Sequence, residues 1–244
     1  SALEKIRNSS FNITKISTKR VKRNPLPPFT TSTLQQEASN KLSFGASRTM
    51  RIAQKLYEGI NIGSETTGLI TYMRTDGVQL STQAIDELRN EITNLHGKEY
   101  IPQTPRVYKS KAANAQEAHE AIRPTEISRH PESMSSFLDN EQFKLYELIW
   151  KRTISSQMQS AELDETSADI SSKDKTIVFR ANGSQVHFPG FFIYRDRNDD
   201  KILPNLVENE NVDLEKADGE QHFTQPPPRY TDASLIKKME ELGI

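Results

Sequence analysis

The sequence predicts an α+β chain in which a mainly helical block is inserted between two β-rich segments. Three observations predict it. Between residues 32 and 157 apolar side chains recur at spacings of three and four, the period of an amphipathic helix. At 11–16, and again from 161 onward, that period gives way to β-branched and alternating residues and turn signals. Pro-rich breaks then stand at Asn24–Pro28 and Gln225–Pro228. β stretches on both sides of one helical block suggest a single domain visited twice. The expected division is 1–31 with 158–223 as the β-rich domain, 32–157 as the helical one, and 224–244 as a connector and helix.

Taken in order, Phe11, Ile13 and Ile16 suggest an edge strand with a solvated basic face, made by Lys15, Lys19, Arg20, Lys22 and Arg23. Phosphate contact is the alternative use of that charge. Ser32 with Gln35 fits a capping box ahead of Leu34, Ala38 and Leu42. Ser47 can cap a second helix with Met50, Ala53, Leu56 and Tyr57 inward, stopped by Gly59. Leu69–Met73 is rich in β-branched and aromatic residues and reads as a short strand. Ser81 opens a helix that buries Ile85, Leu88, Ile92 and Leu95 and stops at Gly97. Residues 98–113 read as loop. Asn140 can cap a helix carrying Phe143, Tyr146, Trp150, Ile154 and Met158, a stripe that suits a core. Further on, Asn182-Gly183 is a hairpin signal between Ile177/Phe179 and Val186/Phe188, and Asn198–Asp200 marks another turn. The acidic run 207–220 reads as a solvated face. A last helix from near Thr231 places Leu235, Met239 and Leu242 inward and ends at Gly243.

Composition removes several function classes. The chain has 244 residues, 32 Lys plus Arg against 33 Asp plus Glu, and a net charge of -1, so it does not wrap a polyanion by bulk charge. Cys is 0, which excludes disulfides, thiolate nucleophiles and Cys-ligated zinc. No apolar run reaches the ~18 residues of a membrane helix. There is no Gly-rich phosphate loop, so nucleoside triphosphate use has no support.

Two segments could carry chemistry. On a strand over 69–73, Tyr72 and Arg74 share a face, with Thr71 and Met73 on the other. A phenol of pKa about 10 is a poor nucleophile at neutral pH. A neighbouring guanidinium favours the phenolate and can grip a phosphate oxygen, so the pair suits attack on a phosphodiester. Asp76 could aim that guanidinium, or cap the next turn. By itself the pair also fits an ordinary strand. In the second segment, Asn114–Pro124, His119-Glu120 looks like the start of a zinc-protease helix, but Arg123 stands where the second His belongs, so zinc is rejected. If 115–122 is helical, His119 and Arg123 lie one turn apart and could hold phosphate. A capped, exposed polar helix is the plainer reading.

Four segments in order resemble the type IA DNA topoisomerases, and among them the bacterial ones. Pro28–Gln36 resembles the stretch entering that family's helical domain. Gly68-Leu69-Ile70-Thr71-Tyr72-Met73-Arg74-Thr75-Asp76 resembles its active-site signature, and Gln116–Pro124 its histidine segment. Gln221–Tyr230 resembles the stretch leading toward the base of the enzyme.

The resemblance implies that Tyr72 is the nucleophile, which breaks one DNA strand and holds its 5′ phosphate. It implies that Arg74 positions the scissile phosphate and that His119 contacts the phosphate near the break. It also implies a partial toroid, in which the β segments form an arch that lifts the tyrosine domain, with hinges near Pro25–Pro28 and 157–162. The implied substrate is negatively supercoiled DNA, single-stranded at the break, relaxed without ATP by a monomeric, cytoplasmic enzyme of the bacterial nucleoid. Magnesium is expected for the whole enzyme. Its acidic cluster is absent from 1–244, where no Asp-x-Asp-x-Glu pattern occurs. The chain therefore reads as a fragment that does not cleave efficiently unaided.

Overall fold

A computed structural model describes residues 2–109, 120–195 and 200–242. In chain order the elements are α1 (Ala2–Arg7), β1 (Phe11–Arg23), α2 (Thr31–Leu42), α3 (Ala46–Glu58), β2 (Ile60–Asn61), β3 (Thr66–Thr67) and α4 (Thr82–His96). These are followed by α5 (Pro131–Met134), α6 (Asn140–Ser156), β4 (Ala161–Ser172), β5 (Val178–Phe188), β6 (Asn211–Val212) and α7 (Asp232–Leu242). The chain is α+β and divides into two compact units, Ser1–Asn24 with Ser160–Pro227, and Pro25–Gln159 with Pro228–Ile244.

The first unit is an antiparallel sheet of order β5-β4-β1-β6. β1 and β4 pair along their whole length, while β6 covers only Phe11 and Asn12, so β1 is an edge strand from Lys15 onward. Its basic face is not simply solvated. Lys19 and Arg23 meet Glu165, Arg20 meets Asp164 through two hydrogen bonds, and Lys22 meets Glu162. The partners lie on β4, whose sequence AELDETSADISS carries four acids. Such exposed pairs contribute little to stability. They do, however, place carboxylates against the charge that a phosphate would need.

The hairpin of this unit differs from the expected one. Asn182 and Gly183 lie inside β5, opposite Ser167 and Thr166, and the reversal comes at Lys173–Ile177. There Asp174 accepts hydrogen bonds from Ser172 and Thr176, and Lys175 takes φ 58°. Gly183 is needed for space. A Cβ there would come within 2.7 Å of the Lys201 carbonyl and of Leu203, a segment that bridges to Ser184. Of the turn expected at Asn198–Asp200, Asn198 and Asp199 lie outside the described residues.

The second unit packs helices around Leu34, Leu56, Leu88, Ile92, Leu145 and Ile149, all fully buried. α6 lies at its centre, and Trp150 donates its indole N–H to the Ile127 carbonyl at 2.8 Å. The helix starts shift from the expected ones. Thr30 rather than Ser32 caps α2, in a reciprocal box with Thr33, because Thr31 and Ser32 are already helical. Gly45, with no side-chain cap, precedes α3, and Asp139 rather than Asn140 caps α6. Ser81 and Gly97 bound α4 as expected. α7 lies against α2 through Ala233, which leaves Leu235, Met239 and Leu242 exposed rather than inward. Its expected stop, Gly243, lies outside the described residues.

Residues 69–73 form no strand: Ile70 alone makes an isolated bridge, to Pro124. Their apolar character serves burial, since Leu69, Ile70 and Met73 are all core residues.

Candidate active site

The site is built on two irregular threads, 68–79 and 120–125, which meet at isolated bridges within the helical unit. Ile70 bridges Pro124, Gln79 bridges Glu120, and Phe29 bridges Ile122. Thr71 is the rivet between the threads. Its N–H donates to the Arg123 carbonyl at 2.9 Å, and its hydroxyl donates to the Ala121 carbonyl at 2.7 Å while accepting from the Arg123 N–H at 3.0 Å. Thr31, at the start of α2, holds the other side. Its N–H reaches the Thr75 carbonyl, its hydroxyl reaches the Met73 carbonyl at 2.8 Å, and Thr75 donates back to that hydroxyl.

These anchors fix an alternation. Met73 and Thr75 are buried, Thr71 is half-buried, and Tyr72, Arg74 and Asp76 are exposed. The backbone bends at Thr71 and Met73, so these anchors rather than a strand's pleat set which side chains face out. Tyr72 is 50% exposed. Among the described residues Arg74 makes no hydrogen bond or ion pair, which leaves its guanidinium open to a ligand.

Other tyrosines are committed elsewhere. Tyr108 donates its hydroxyl to the Ser156 carbonyl at 2.8 Å, and burial pushes its phenol up to about 12. Tyr146 is fully buried, donates to the Arg129 carbonyl, and is likewise raised by burial. A buried phenol resists ionisation.

Arg123, expected to hold phosphate, is engaged within the chain. It is 16% exposed, and its Nε and Nη2 donate to the two carboxylate oxygens of Glu120 at 2.8 and 3.1 Å. Its Nη1 donates to the carbonyls of Pro124 and Thr125. A guanidinium held this way braces the thread instead of meeting a ligand. Residues 120–124 are extended, so the expected helix does not run through them. His119 and residues 115–118 lie outside the described residues.

Glu120 was not singled out by the sequence. It also accepts the Ser81 backbone N–H at 3.0 Å, which ties the thread to the start of α4. Burial alone would raise its carboxyl pKa, but the Arg123 and Ser81 hydrogen bonds outweigh burial and hold it below the usual 4.5. Tyr57 was read as inward. Its ring instead stands 41% exposed in an edge contact with Tyr72. Helical periodicity does not separate the two readings, because Tyr57 borders the buried face of α3.

Among the described residues no group of three His, Asp or Glu side chains could hold a metal ion. The residues present do not fit the magnesium that the resemblance implies, and no step below is routed through it.

The model of the DNA topoisomerase family matches residues 1–244. Relatives include DNA topoisomerase 1 of Rickettsia bellii, 54% identical over 99% of this chain and 31% of that protein. DNA topoisomerase 1 of Xylella fastidiosa (strain Temecula1) is 51% identical over 96% of this chain and 30% of that protein. A solved structure of full-length topoisomerase I from Thermotoga maritima matches all of this chain and 39% of that one, with a TM-score of 0.86 and 37% identity. The chain belongs to the type IA DNA topoisomerase family. It spans about a third of the length of these curated relatives. No helix among the described residues is long and apolar enough to cross a membrane.

Proposed function

We propose that this chain supplies the strand-cleaving tyrosine of an enzyme that relaxes negatively supercoiled DNA. The observation that carries the reading is the paired outward projection of Tyr72 and Arg74 from a backbone anchored at Thr71 and Thr75.

The Tyr72 phenol oxygen attacks a backbone phosphorus of one strand. A bond forms between that oxygen and the 5′ phosphate, and the bond to the 3′ oxygen breaks. The phenolic proton is lost and the 3′ oxygen gains one, so no net charge is created. The Arg74 guanidinium gathers the negative phosphate oxygens as charge builds on them. His119 is assigned a phosphate contact near the break on the sequence signature alone. Attack by the 3′ hydroxyl reverses each bond change. The ester keeps the energy of the broken linkage, so resealing proceeds without ATP.

The substrate is DNA, single-stranded where it is cut, and the working enzyme is a monomer that uses magnesium. The chain by itself is expected to bind single strands and to cleave them poorly, with affinity falling steeply in salt.

The test is covalent trapping. End-labelled single-stranded DNA is mixed with the chain and magnesium, with and without a separately made metal-binding domain of the family, then denatured. A denaturant-resistant adduct that vanishes in Tyr72→Phe supports the reading. An adduct that persists in Tyr72→Phe moves the nucleophile elsewhere, and no adduct in either mixture leaves strand binding as the chain's activity.

A further inference from the structure

The course of the backbone between Tyr57 and Tyr72 brings the two rings together. α3 turns Ile52, Ala53 and Leu56 inward and ends at Gly59, whose φ of 139° lets the chain leave the helix sharply. β2 and β3 reverse it, and the Leu69 N–H donates to the Leu56 carbonyl at 2.7 Å. The return passes directly over the peptide of Tyr57. A Cβ on Gly68 would lie 2.5 Å from the Tyr57 carbonyl oxygen, so only glycine fits this approach. Four residues on, the Tyr72 ring meets the Tyr57 ring with centroids 5.4 Å apart and planes at 65°. Edge-to-face pairs favour this separation, because the positive ring edge meets the negative ring face.

A half-exposed tyrosine beside solvent has several staggered rotamers open to it. A nucleophile gains rate when one of them is held, since misplacement by about 1 Å can cost about a hundredfold. We propose that Tyr57 is a positioning residue that holds the Tyr72 ring, by edge contact, in the outward rotamer beside Arg74. The ring contact stands on geometry alone. Its effect on rate rests on Tyr72 being the nucleophile proposed above.

Two measurements on the same variants test the two parts separately. In the chain with ¹³C-labelled tyrosine rings, the Tyr72 signals are assigned by their loss in Tyr72→Phe. Their ring-current shifts are expected to collapse toward exposed-tyrosine values in Tyr57→Leu and to persist in Tyr57→Phe. In covalent trapping with the complementing domain at saturating DNA, Tyr57→Leu is expected to slow adduct formation by about two- to tenfold, the range that one aromatic pair spans. Tyr57→Phe is expected to restore it, with DNA affinity unchanged in both. Unmoved Tyr72 signals in Tyr57→Leu, or adduct formation at the unaltered rate, overturns the proposal. Shifted ring signals with no adduct even from the unsubstituted chain uphold the positioning and count against Tyr72 as nucleophile.

Discussion

Replacing Gly68 by alanine tests the link between backbone approach and site geometry. The added Cβ would sit 2.5 Å from the Tyr57 carbonyl oxygen, where ordinary contact begins near 3.4 Å. The two backbones must therefore part by about 0.9 Å, because a peptide carbonyl cannot swing aside as a side chain can. The Leu69 to Leu56 hydrogen bond, now 2.7 Å, would open to about 3.6 Å and be lost. Overpacking costs about 1–3 kcal/mol and the lost bond about 1 kcal/mol more. At about 1.4 kcal/mol per decade, a local loss of about 2 kcal/mol speeds Leu69 amide exchange roughly thirtyfold. A shift of this size carried along the thread to Tyr72 is expected to slow adduct formation by about one to two orders of magnitude. Hydrogen exchange by mass spectrometry and covalent trapping read the two effects. Unchanged Leu69 protection in Gly68→Ala would refute the close-approach argument. Lost protection with an unaltered adduct rate would refute its connection to the site.

Arg123→Met is expected to leave the Glu120 carboxylate half-buried with only the Ser81 N–H and hydroxyl beside it, at a cost of about 2 kcal/mol. Exchange at Thr71, Ala121 and Thr125 should rise together while the amides of α6 stay protected, and a uniform rise across the unit would show that the brace is not local. Because Glu120 ionises more readily when folded, its contribution to stability is present above about pH 4.5 and is lost as pH falls through its lowered value. The stability gap between the unaltered chain and Glu120→Gln, followed by urea unfolding, should therefore narrow between pH 6 and pH 3, and a gap constant with pH would contradict this. Asp139→Ala removes a cap that accepts from the N–H groups of Glu141 and Gln142. It should cost about 1 kcal/mol by urea unfolding, whereas Asn140→Ala should cost little.

The helices were legible because their signals are local. Ser81 and Gly97 bracket α4, and the stripe through Tyr146, Trp150 and Ile154 is the buried face of α6. The caps slipped by one or two positions where several capping residues stand in a row, as in Thr30–Thr33. β4 was harder to read, since its acids face the basic residues of β1, and no apolar alternation marks a strand stabilised by charge and backbone pairing. Asn182-Gly183 misled because glycine serves either a positive φ or a close neighbour, and only the fold shows Lys201 and Leu203 beside it. In the site, the outward pairing of Tyr72 and Arg74 was legible from their spacing. The brace between Glu120 and Arg123 and the ring contact of Tyr57 join residues whose meeting depends on how the threads return.

The alternation over 71–76 has a practical consequence for mutagenesis. Positions 71, 73 and 75 are occupied by side chains that the fold grips, and 74 by an exposed side chain without a hydrogen bond or ion pair among the described residues. An exchange at 74 should thus be nearly silent in folding assays, so any change it brings can be charged to chemistry. Exchanges at 71, 73 and 75 confound the two. The segment separates an interchangeable position from a fixed set, and a designer altering what this surface does can begin with the first.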